Sequence, residues 1–410
     1  MSTLVSTAPR ALHGILAAAV LAAAVSFTVA PSAHAECKEV SKEVFEKYNP
    51  ATEAFKQHNY AKAVSLAKEG LAVSRSSFEK TACLKVIVAA AVAGGTSSYP
   101  EAISAIAQLT NSEGVSASEK LGYHKTLSQL YGATNHFDRA TSELKEYMQG
   151  SGGGSAADWD ALARYYGVQK DCPNAMQALD KALGGRPGSE DQLKLQAGCY
   201  FKMKANDKWQ VASEERLHRF PKADAYQQVL GIYQEKKIDD LAMLEMLRYG
   251  FERDFLKDEV DYVKLASLAL DSGGAAEAQR VLEKGIAKKA VKNTDKAARL
   301  LNEAKDTAVK DKAAIAQADA EARAGKNGDS DVKLGMRYFG MFQYDKASEA
   351  LARGLSTDRV ARVKRPDDAN MVLGMSLVKL KKKADAEKAF NAAKSDARMA
   401  SVAKLWLSAI

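Results

Sequence analysis

The chain contains little of what an all-β or disordered protein needs. Only 8 of its 410 residues are proline and only 7% are aromatic, whereas 46% are hydrophobic and 27% are charged. Its long runs of Ala, Leu, Lys and Glu are typical of helices, because these side chains lose little conformational entropy there. The composition therefore predicts a folded, mainly helical protein and argues against an all-β fold.

The sequence also lacks the motifs of common active sites. It has no Gly-x-x-x-x-Gly-Lys phosphate loop, no His-Glu-x-x-His pair and no Gly-x-Ser-x-Gly elbow. The histidines beyond residue 35, which are His58, His124, His136 and His218, are scattered along the chain. His58 and His136 are expected to be polar turn residues. We therefore predict a protein that is not an enzyme and has no cofactor or metal.

The first 35 residues have the pattern of a secretory signal peptide. Arg10 precedes a small apolar run at residues 15–30, and the small-residue pattern Ala33-His34-Ala35 follows it. Cleavage after Ala35 would leave a periplasmic protein. The alternative is an inner-membrane anchor that is not cleaved, because residues 11–30 could almost span a bilayer.

After export, the four cysteines of the chain would be in an oxidising compartment. Cys37, Cys83, Cys172 and Cys199 form two local pairs along the chain, which predicts the disulfides 37–83 and 172–199. The alternative is four buried free thiols. A zinc site is disfavoured, because no two cysteines are close in sequence and no histidine lies within ligand spacing of a pair.

One spacing of residues recurs with a period of about 36 residues. A small or apolar residue is followed after six positions by an aromatic residue, then by Ala after three, an apolar residue after four and a small residue after three. Because positions three, seven and ten apart share one helix face, the spacing predicts stacked helical hairpins, about nine in all. The alanine of the pattern recurs at positions 63, 102, 140, 175, 278, 347 and 386, and weaker copies are expected at 198–221, 226–249 and 295–324.

This spacing resembles the tetratricopeptide repeat over nearly all of residues 37–410. The strongest copies are residues 166–187 and 338–355, although the leading Trp of the motif is missing. The resemblance implies an all-α protein, a right-handed α-solenoid of about nine tetratricopeptide-like hairpins. The first helices of the hairpins would line a concave groove that binds protein partners.

Eight polar side chains are expected to face this groove. Amide and guanidinium groups suit an extended peptide, because they can hydrogen-bond to its backbone. The alternative is a solvated face without a ligand. The candidates are Lys125, Gln129, Asp160, Arg164, Gln196, Tyr200, Gln227 and Gln234.

The chain divides into three expected groups of repeats. These are an N-terminal group at residues 36–149, a central group at 156–325 and a C-terminal group at 326–410. The Gly/Ser-rich stretch 150–155 separates the first two, either as a long loop between repeats or as a hinge between two lobes.

Basic residues gather late in the chain. Such a surface could contact an acidic protein or, weakly, an anionic membrane. The alternative is ordinary solvated helix faces, because acidic residues are interspersed. No nucleic-acid partner is expected, since aromatic residues for base stacking are absent there. The basic residues are Lys284, Lys288, Lys289, Lys292 and Lys296, then Arg359, Arg362, Lys364, Arg365, Lys379, Lys381, Lys382 and Lys383.

The segment 246–262, MLRYGFERDFLKDEVDY, is dense in aromatic and charged residues. Its aromatic side chains Tyr249, Phe251 and Phe255 are expected to fill a junction between repeats. With the export signal, the early Cys37 and the many repeats, its YGF…F-L-x-x-E pattern is similar to exported bacterial repeat proteins that accompany TonB–ExbB–ExbD components. The resemblance implies a periplasmic adaptor that binds envelope proteins and supports a transport machine. The alternative is a helical support module of an exopolysaccharide or cell-wall assembly machine.

Overall fold

A computed structural model describes residues 40–292, 295–325 and 327–410. This part of the chain forms twenty α-helices and contains no β-strand, which confirms the predicted all-α solenoid class. The helices are α1 Lys42–Lys56, α2 Tyr60–Val73, α3 Ser77–Ala93, α4 Tyr99–Thr110, α5 Ala117–Ala133, α6 Phe137–Gly150, α7 Ala156–Val168, α8 Cys172–Leu183, α9 Glu190–Lys202, α10 Asn206–Arg219, α11 Ala223–Lys236, α12 Asp240–Glu252, α13 Glu259–Asp271, α14 Ala275–Ala287, α15 Asp295–Ala324, α16 Gly328–Gly340, α17 Tyr344–Gly354, α18 Pro366–Lys379, α19 Lys383–Ala393 and α20 Ala400–Leu407.

The chain forms two compact units, Met1–Gly188 and Ser189–Ile410. The described part of unit 1 consists of four consecutive hairpins, from α1–α2 to α7–α8. Unit 2 contains the hairpins α9–α10, α11–α12, α13–α14, α16–α17 and α18–α19, together with α15 and α20. The Gly/Ser-rich stretch lies inside unit 1, as the loop between α6 and α7.

The alanines of the repeat bring the two helices of each hairpin together. Every alanine that the sequence pattern placed at this position is fully buried. A methyl side chain allows the backbones of two helices to approach closely, so the repeat encodes the packing distance of each hairpin. The residues are Ala63, Ala102, Ala140, Ala175, Ala278, Ala347 and Ala386, each with 0% exposure.

The turn inside each hairpin also repeats. In the fourth hairpin Lys170 adopts a left-handed conformation with φ 65°. Its N–H donates to the Gly167 carbonyl at 3.2 Å, and the next N–H, of Asp171, donates to the Tyr166 carbonyl at 2.9 Å. This is the Schellman arrangement, which satisfies the last carbonyls of the first helix. The same position is held by His58, Asn135, Lys204, Lys237, Gly273, Phe342 and Lys381 in seven other hairpins. The hairpin α3–α4 is the exception, because Gly95 has φ 90° and ψ −172° and precedes a short 3-10 helix.

Residues 295–324 do not form the weak helical hairpin that the period predicted. They form the single helix α15, which is 30 residues long. The segment contains neither glycine nor proline, so nothing in it ends a helix. A stripe of small residues, among them the buried Ala297, Ala304 and Ala322, packs this long helix against α14 and α16.

Helix α12 lies in the core of unit 2. Ten of its 13 residues, Ala242 to Phe251, are buried, and a helix that is buried on all sides must be covered by several neighbours. The C-terminal helix α20 supplies one of them, because the Trp406 ring contacts Tyr249 with ring centroids 5.6 Å apart. Phe255 packs against the same core. Tyr249 and Phe251 therefore lie on a buried hairpin helix, whereas Phe255 lies in the loop between α12 and α13, the kind of junction that was predicted for all three.

Candidate functional site

The first helices of unit 1 are tied to one another by a series of polar contacts. The Ser41 N–H, just before α1, donates to Glu79 Oε1 on α3 at 2.8 Å. Lys85 on α3 pairs with Glu119 on α5 at 2.6 Å. Lys125 on α5 pairs with Asp158 on α7 at 2.7 Å. The contacts place α1, α3, α5 and α7 side by side, so that they form one face, the first-helix face.

Each acidic residue of this series also caps the helix that carries it. Glu79, Glu119 and Asp158 are each the third helical residue of a capping box, in which a serine hydroxyl accepts their N–H and their carboxylate accepts the serine N–H. The serines are Ser76 and Ser116 in the first two boxes. Each of these carboxylates thus caps the N-terminus of its own helix and also contacts the preceding first helix or the residue just before it.

The pairing changes the proton affinities of these groups. Burial alone would lower the pKa of Lys125, but the hydrogen bond and charge of Asp158 outweigh it and raise that pKa. Burial would raise the pKa of Asp158, but its bonds to Lys125 and to Ser155 lower that pKa on balance. Hydrogen bonds from Ser41, Ser76 and Arg75 lower the pKa of Glu79 to about 2. These side chains therefore stay charged at neutral pH.

The rest of the first-helix face is partly open. Gln129 is half-buried on α5, and Arg164 pairs with Asp160 along α7 at 3.3 Å. At the α1 end of the face, Phe45 leaves 53% of its surface exposed. Gly122 is an exposed small residue of α5. The face thus combines charges held in cross-helix pairs, the Arg164–Asp160 pair and the half-buried amide of Gln129, and α1 carries the exposed ring of Phe45.

The structure divides the eight predicted groove residues four and four between the units. Lys125, Gln129, Asp160 and Arg164 all belong to the first-helix face of unit 1, although Lys125 is already engaged by Asp158 and by the Tyr147 ring at 4.7 Å. Whether these residues bind a peptide stays a prediction.

In unit 2, Gln227 is used by the fold itself. Its amide donates to the Phe255 carbonyl at 2.9 Å and to Asp261 Oδ2 at 3.4 Å. Gln196 and Tyr200 are half-buried on α9, and Gln234 is exposed on α11. The Gln227 contacts fix the start of α13, so this residue is less available to a ligand than the residues of unit 1.

Sequence reasoning missed Lys85, Glu119 and Asp158. The signal for them was present as Ser-x-x-Glu or Ser-x-x-Asp at residues 76–79, 116–119 and 155–158. This capping-box signature recurs at nearly the repeat period, and its acidic residue meets the preceding first helix.

Neither predicted disulfide is present among the described residues. Cys83 and Cys172 are buried free thiols, and Cys37 lies outside the described residues. Burial raises the pKa of the Cys83 thiol. Cys199 is buried on α9. The pairings 37–83 and 172–199 therefore stay predictions, which the mass of the exported protein would test.

The expected signal peptide and its cleavage after Ala35 also lie outside the described residues. Within residues 40–292, 295–325 and 327–410, no helix has the length and hydropathy of a membrane span. In the same ranges, no group of three or more His, Cys, Asp or Glu side chains could hold a metal ion. His58 and His136 lie in hairpin turns, as predicted.

Many of the late basic residues are engaged inside unit 2. Lys284 and Lys288 both pair with Asp254. Lys379 pairs with Glu252 on α12. Lys381 and Lys382, in the turn between α18 and α19, and Lys383, at the start of α19, are exposed. Because Lys284, Lys288 and Lys379 form ion pairs with nearby acidic residues, a structural role is favoured for them over a continuous cationic surface.

Comparison with known proteins gives structural similarities only. No protein-family model and no curated protein matches the chain. The chain is similar to a tetratricopeptide repeat protein from Parabacteroides merdae, with 12% identity, coverage of 64% of this chain and 99% of that chain, and a TM-score of 0.37. It is also similar to the C-terminal part of a TPR repeat-containing protein from Cytophaga hutchinsonii, with 13% identity, coverage of 78% and 98%, and a TM-score of 0.35.

A third similar structure is Naa15/Naa10 bound to HypK-THB, with 14% identity, coverage of 86% of this chain and 58% of that chain, and a TM-score of 0.34. These identities and TM-scores are low. The assignment as an α-solenoid of tetratricopeptide-like hairpins therefore rests on the helices, turns and buried alanines of this chain.

Proposed function

We propose that the protein is a non-enzymatic scaffold that binds protein partners through the first-helix face of unit 1. The observation that carries the proposal is the series of cross-helix contacts from Ser41 to Asp158. It holds the charged side chains of this face in fixed positions before a partner arrives. Because groups that are already ordered lose little entropy on binding, a face of this kind suits peptide recognition.

The open residues of the face define the chemistry of the partner. Gln129 offers an amide and Arg164 a guanidinium, and both can hydrogen-bond to the backbone or a carboxylate of an extended segment. Phe45 offers an exposed ring to an apolar side chain. We expect an extended peptide that has an apolar residue near the α1 end of the face.

The proposed cellular setting is the periplasm, with partners in the bacterial envelope. The signal-peptide pattern of the first 35 residues supports this location. The likeness of residues 249–259 to exported repeat proteins supports an adaptor role in TonB–ExbB–ExbD-driven transport. The periplasmic location and the adaptor role are both inferred from the sequence.

The experiment is to tag the chain, crosslink it in intact cells and identify the captured envelope proteins. Enrichment of TonB-type inner-membrane components would support the adaptor role. Capture of a glycan-export or peptidoglycan assembly complex would keep the scaffold and replace the transport setting. Failure to enrich any envelope protein over a strain with the untagged chain would contradict the proposal.

A further inference from the structure

A cluster of four charged side chains is buried in the core of unit 2. Arg248 on α12 donates Nε and Nη2 to the two oxygens of Glu277 on α14, at 2.9 and 2.6 Å. It also donates Nη1 to Glu245 Oε1 at 2.5 Å. Asp368 on α18 is the fourth member, and its charge acts on both Arg248 and Glu245. Glu245 is 0% exposed and Asp368 is 8% exposed.

The charges in this cluster do not balance. One guanidinium faces three carboxyl groups, so full ionisation would leave two uncompensated negative charges away from water, at a large free-energy cost. Within the described part of the chain, Glu245 Oε2 and Asp368 Oδ1 have no hydrogen-bond partner. A proton on these carboxyl groups would reduce the charge and supply a donor.

The cluster lies where the end of unit 2 packs against α12. Trp406 on α20 donates its indole N–H to the Glu245 carbonyl oxygen at 3.2 Å. Phe339 at the end of α16 places its ring 5.0 Å from Arg248 Cζ. Asp368 stands in the first turn of α18. The cluster therefore joins α12 to helices that follow it by about a hundred residues or more.

Other charged groups face the cluster from the start of α18 and from the turn before α12. Arg365 donates to Asp239 at 3.2 Å and to Asp367 at 3.2 Å. Its positive charge lowers the pKa of Asp368, whereas those two carboxylates raise it. Arg398 also pairs with Asp367, at 3.8 Å, and with Asp396. Two guanidinium groups therefore face three carboxylates here, and this second group supplies no spare positive charge to Glu245 and Asp368.

We propose that Glu245 and Asp368 are each protonated in a closed form in which α18 to α20 pack on α12, and that loss of these protons releases this C-terminal segment. Without the protons, two uncompensated carboxylates are buried away from water. Release uncovers the apolar surface of α12, including Met246 and Tyr249, which are buried in the closed form. The device would make partner access to this surface depend on pH.

The direction of the pH dependence follows from linkage. Burial raises the pKa of Glu245 to about 8 and that of Asp368 to about 6. Carboxyl groups whose pKa is raised by folding stabilise the folded form fully below their ordinary pKa. They lose that contribution as the pH rises through the folded values. Closure is therefore strongest in acid and weakens from about pH 6 to about pH 8.

The test uses Trp406 as a reporter, because it is 6% exposed and contacts the cluster. In the full chain carrying Trp159→Phe and Trp209→Phe, its emission is followed from about pH 5 to about pH 9.5 at constant ionic strength. We expect a red shift with a midpoint near 8, at unchanged helical circular dichroism. At alkaline pH, tryptic cleavage after Arg398 should be about tenfold faster than in the Glu245→Gln variant at the same pH.

Glu245→Gln should keep the buried emission over the whole range. The matched control is Glu235→Gln, the same substitution at an exposed carboxylate on α11, and it should titrate like the reporter chain. If Glu245→Gln does not fold, Asp368→Asn replaces it. Because the charge of Asp368 raises the pKa of Glu245, the midpoint of this variant should move to lower pH.

Three results would overturn the proposal. The first is an emission that does not change with pH, or one that shifts equally in the Glu245→Gln variant. The second is a loss of helical signal with the same midpoint, which would mean unfolding of unit 2. The third is a shift that follows added Na⁺ or Ca²⁺ at fixed pH, which would make the cluster a cation site.

Discussion

At Gly374 on α18, an added methyl group would lie 2.5 Å from Cε1 of Phe390. At Gly198 on α9, nothing lies within 4 Å of such a methyl group. Both glycines are inside helices of unit 2, so the gain in helix propensity from alanine, about 0.5–1 kcal/mol, is the same for both. Only the space around them differs.

We therefore expect Gly374→Ala to destabilise the protein, because overpacking costs about 1–3 kcal/mol and outweighs the propensity gain. Gly198→Ala should stabilise it by about 0.5–1 kcal/mol. Urea unfolding of the two variants measures both effects. Equal effects of the two substitutions would show that the ring of Phe390 does not limit the space at Gly374.

A second residue-scale prediction concerns Glu79. Its pKa is lowered to about 2 by the hydrogen bonds that it accepts from Ser41, Ser76 and Arg75. Such a carboxylate stabilises the folded state above its ordinary pKa and loses this effect as the pH falls through the folded value. Glu79→Gln should thus lower stability at neutral pH, and the difference from the natural chain should disappear towards pH 2.

Chemical denaturation at a series of pH values measures this difference. Glu113→Gln, at an exposed loop position, is the control and should have little effect at any pH. A penalty for Glu79→Gln that is independent of pH would contradict the assigned role of the carboxylate.

At the scale of helices and turns, the left-handed turn residue is a repeated local strain. Lys170 adopts φ 65° at an exposed position, a conformation that costs a residue with a Cβ about 1 kcal/mol relative to glycine. Lys170→Gly should therefore stabilise unit 1 by about 1 kcal/mol. Thermal unfolding measures the change, and Lys170→Ala, which keeps the Cβ, should give no such gain. A gain of equal size in both variants would assign the effect to the lost lysine charge.

The sequence was sufficient to predict the helical hairpins, but it did not predict the segment that departs from them. Seven buried alanines and an aromatic spacing recur locally, so Ala63 or Ala347 could be identified without a structure. Residues 295–324 match the repeat only in length. Because they contain no glycine or proline to end a helix, they form one long helix. A local sequence pattern predicts local packing, but it does not show which segments of repeat length fail to form a hairpin.

The candidate site was predicted in part for the same reason. Gln129 and Arg164 follow from their position in the repeat, and the structure places both on the first-helix face. The pairing of Lys125 with Asp158 joins residues in consecutive hairpins, which a projection of one hairpin does not contain. The buried Glu245 depends on contacts with α18 and α20, far along the chain, so periodicity could not indicate it.

At the scale of the whole molecule, unit 1 presents an ordered, partly open face, while unit 2 packs its own C-terminal helix against α12. The proposed binding through the first-helix face of unit 1 depends on charges that are held in pairs and on the exposed Arg164 and half-buried Gln129 beside them. In unit 2, Gln227 and Trp406 instead serve internal contacts.

Site-specific photocrosslinking in intact cells tests whether partners bind through the first-helix face. A photoreactive residue replaces Gln129 on α5, or, as the control, the exposed Glu146 on the second helix α6 of the same hairpin. We predict that the position of Gln129 captures a defined envelope protein and that the position of Glu146 captures little of it. Equal capture at both positions, or capture only at Glu146, would contradict binding through the first-helix face.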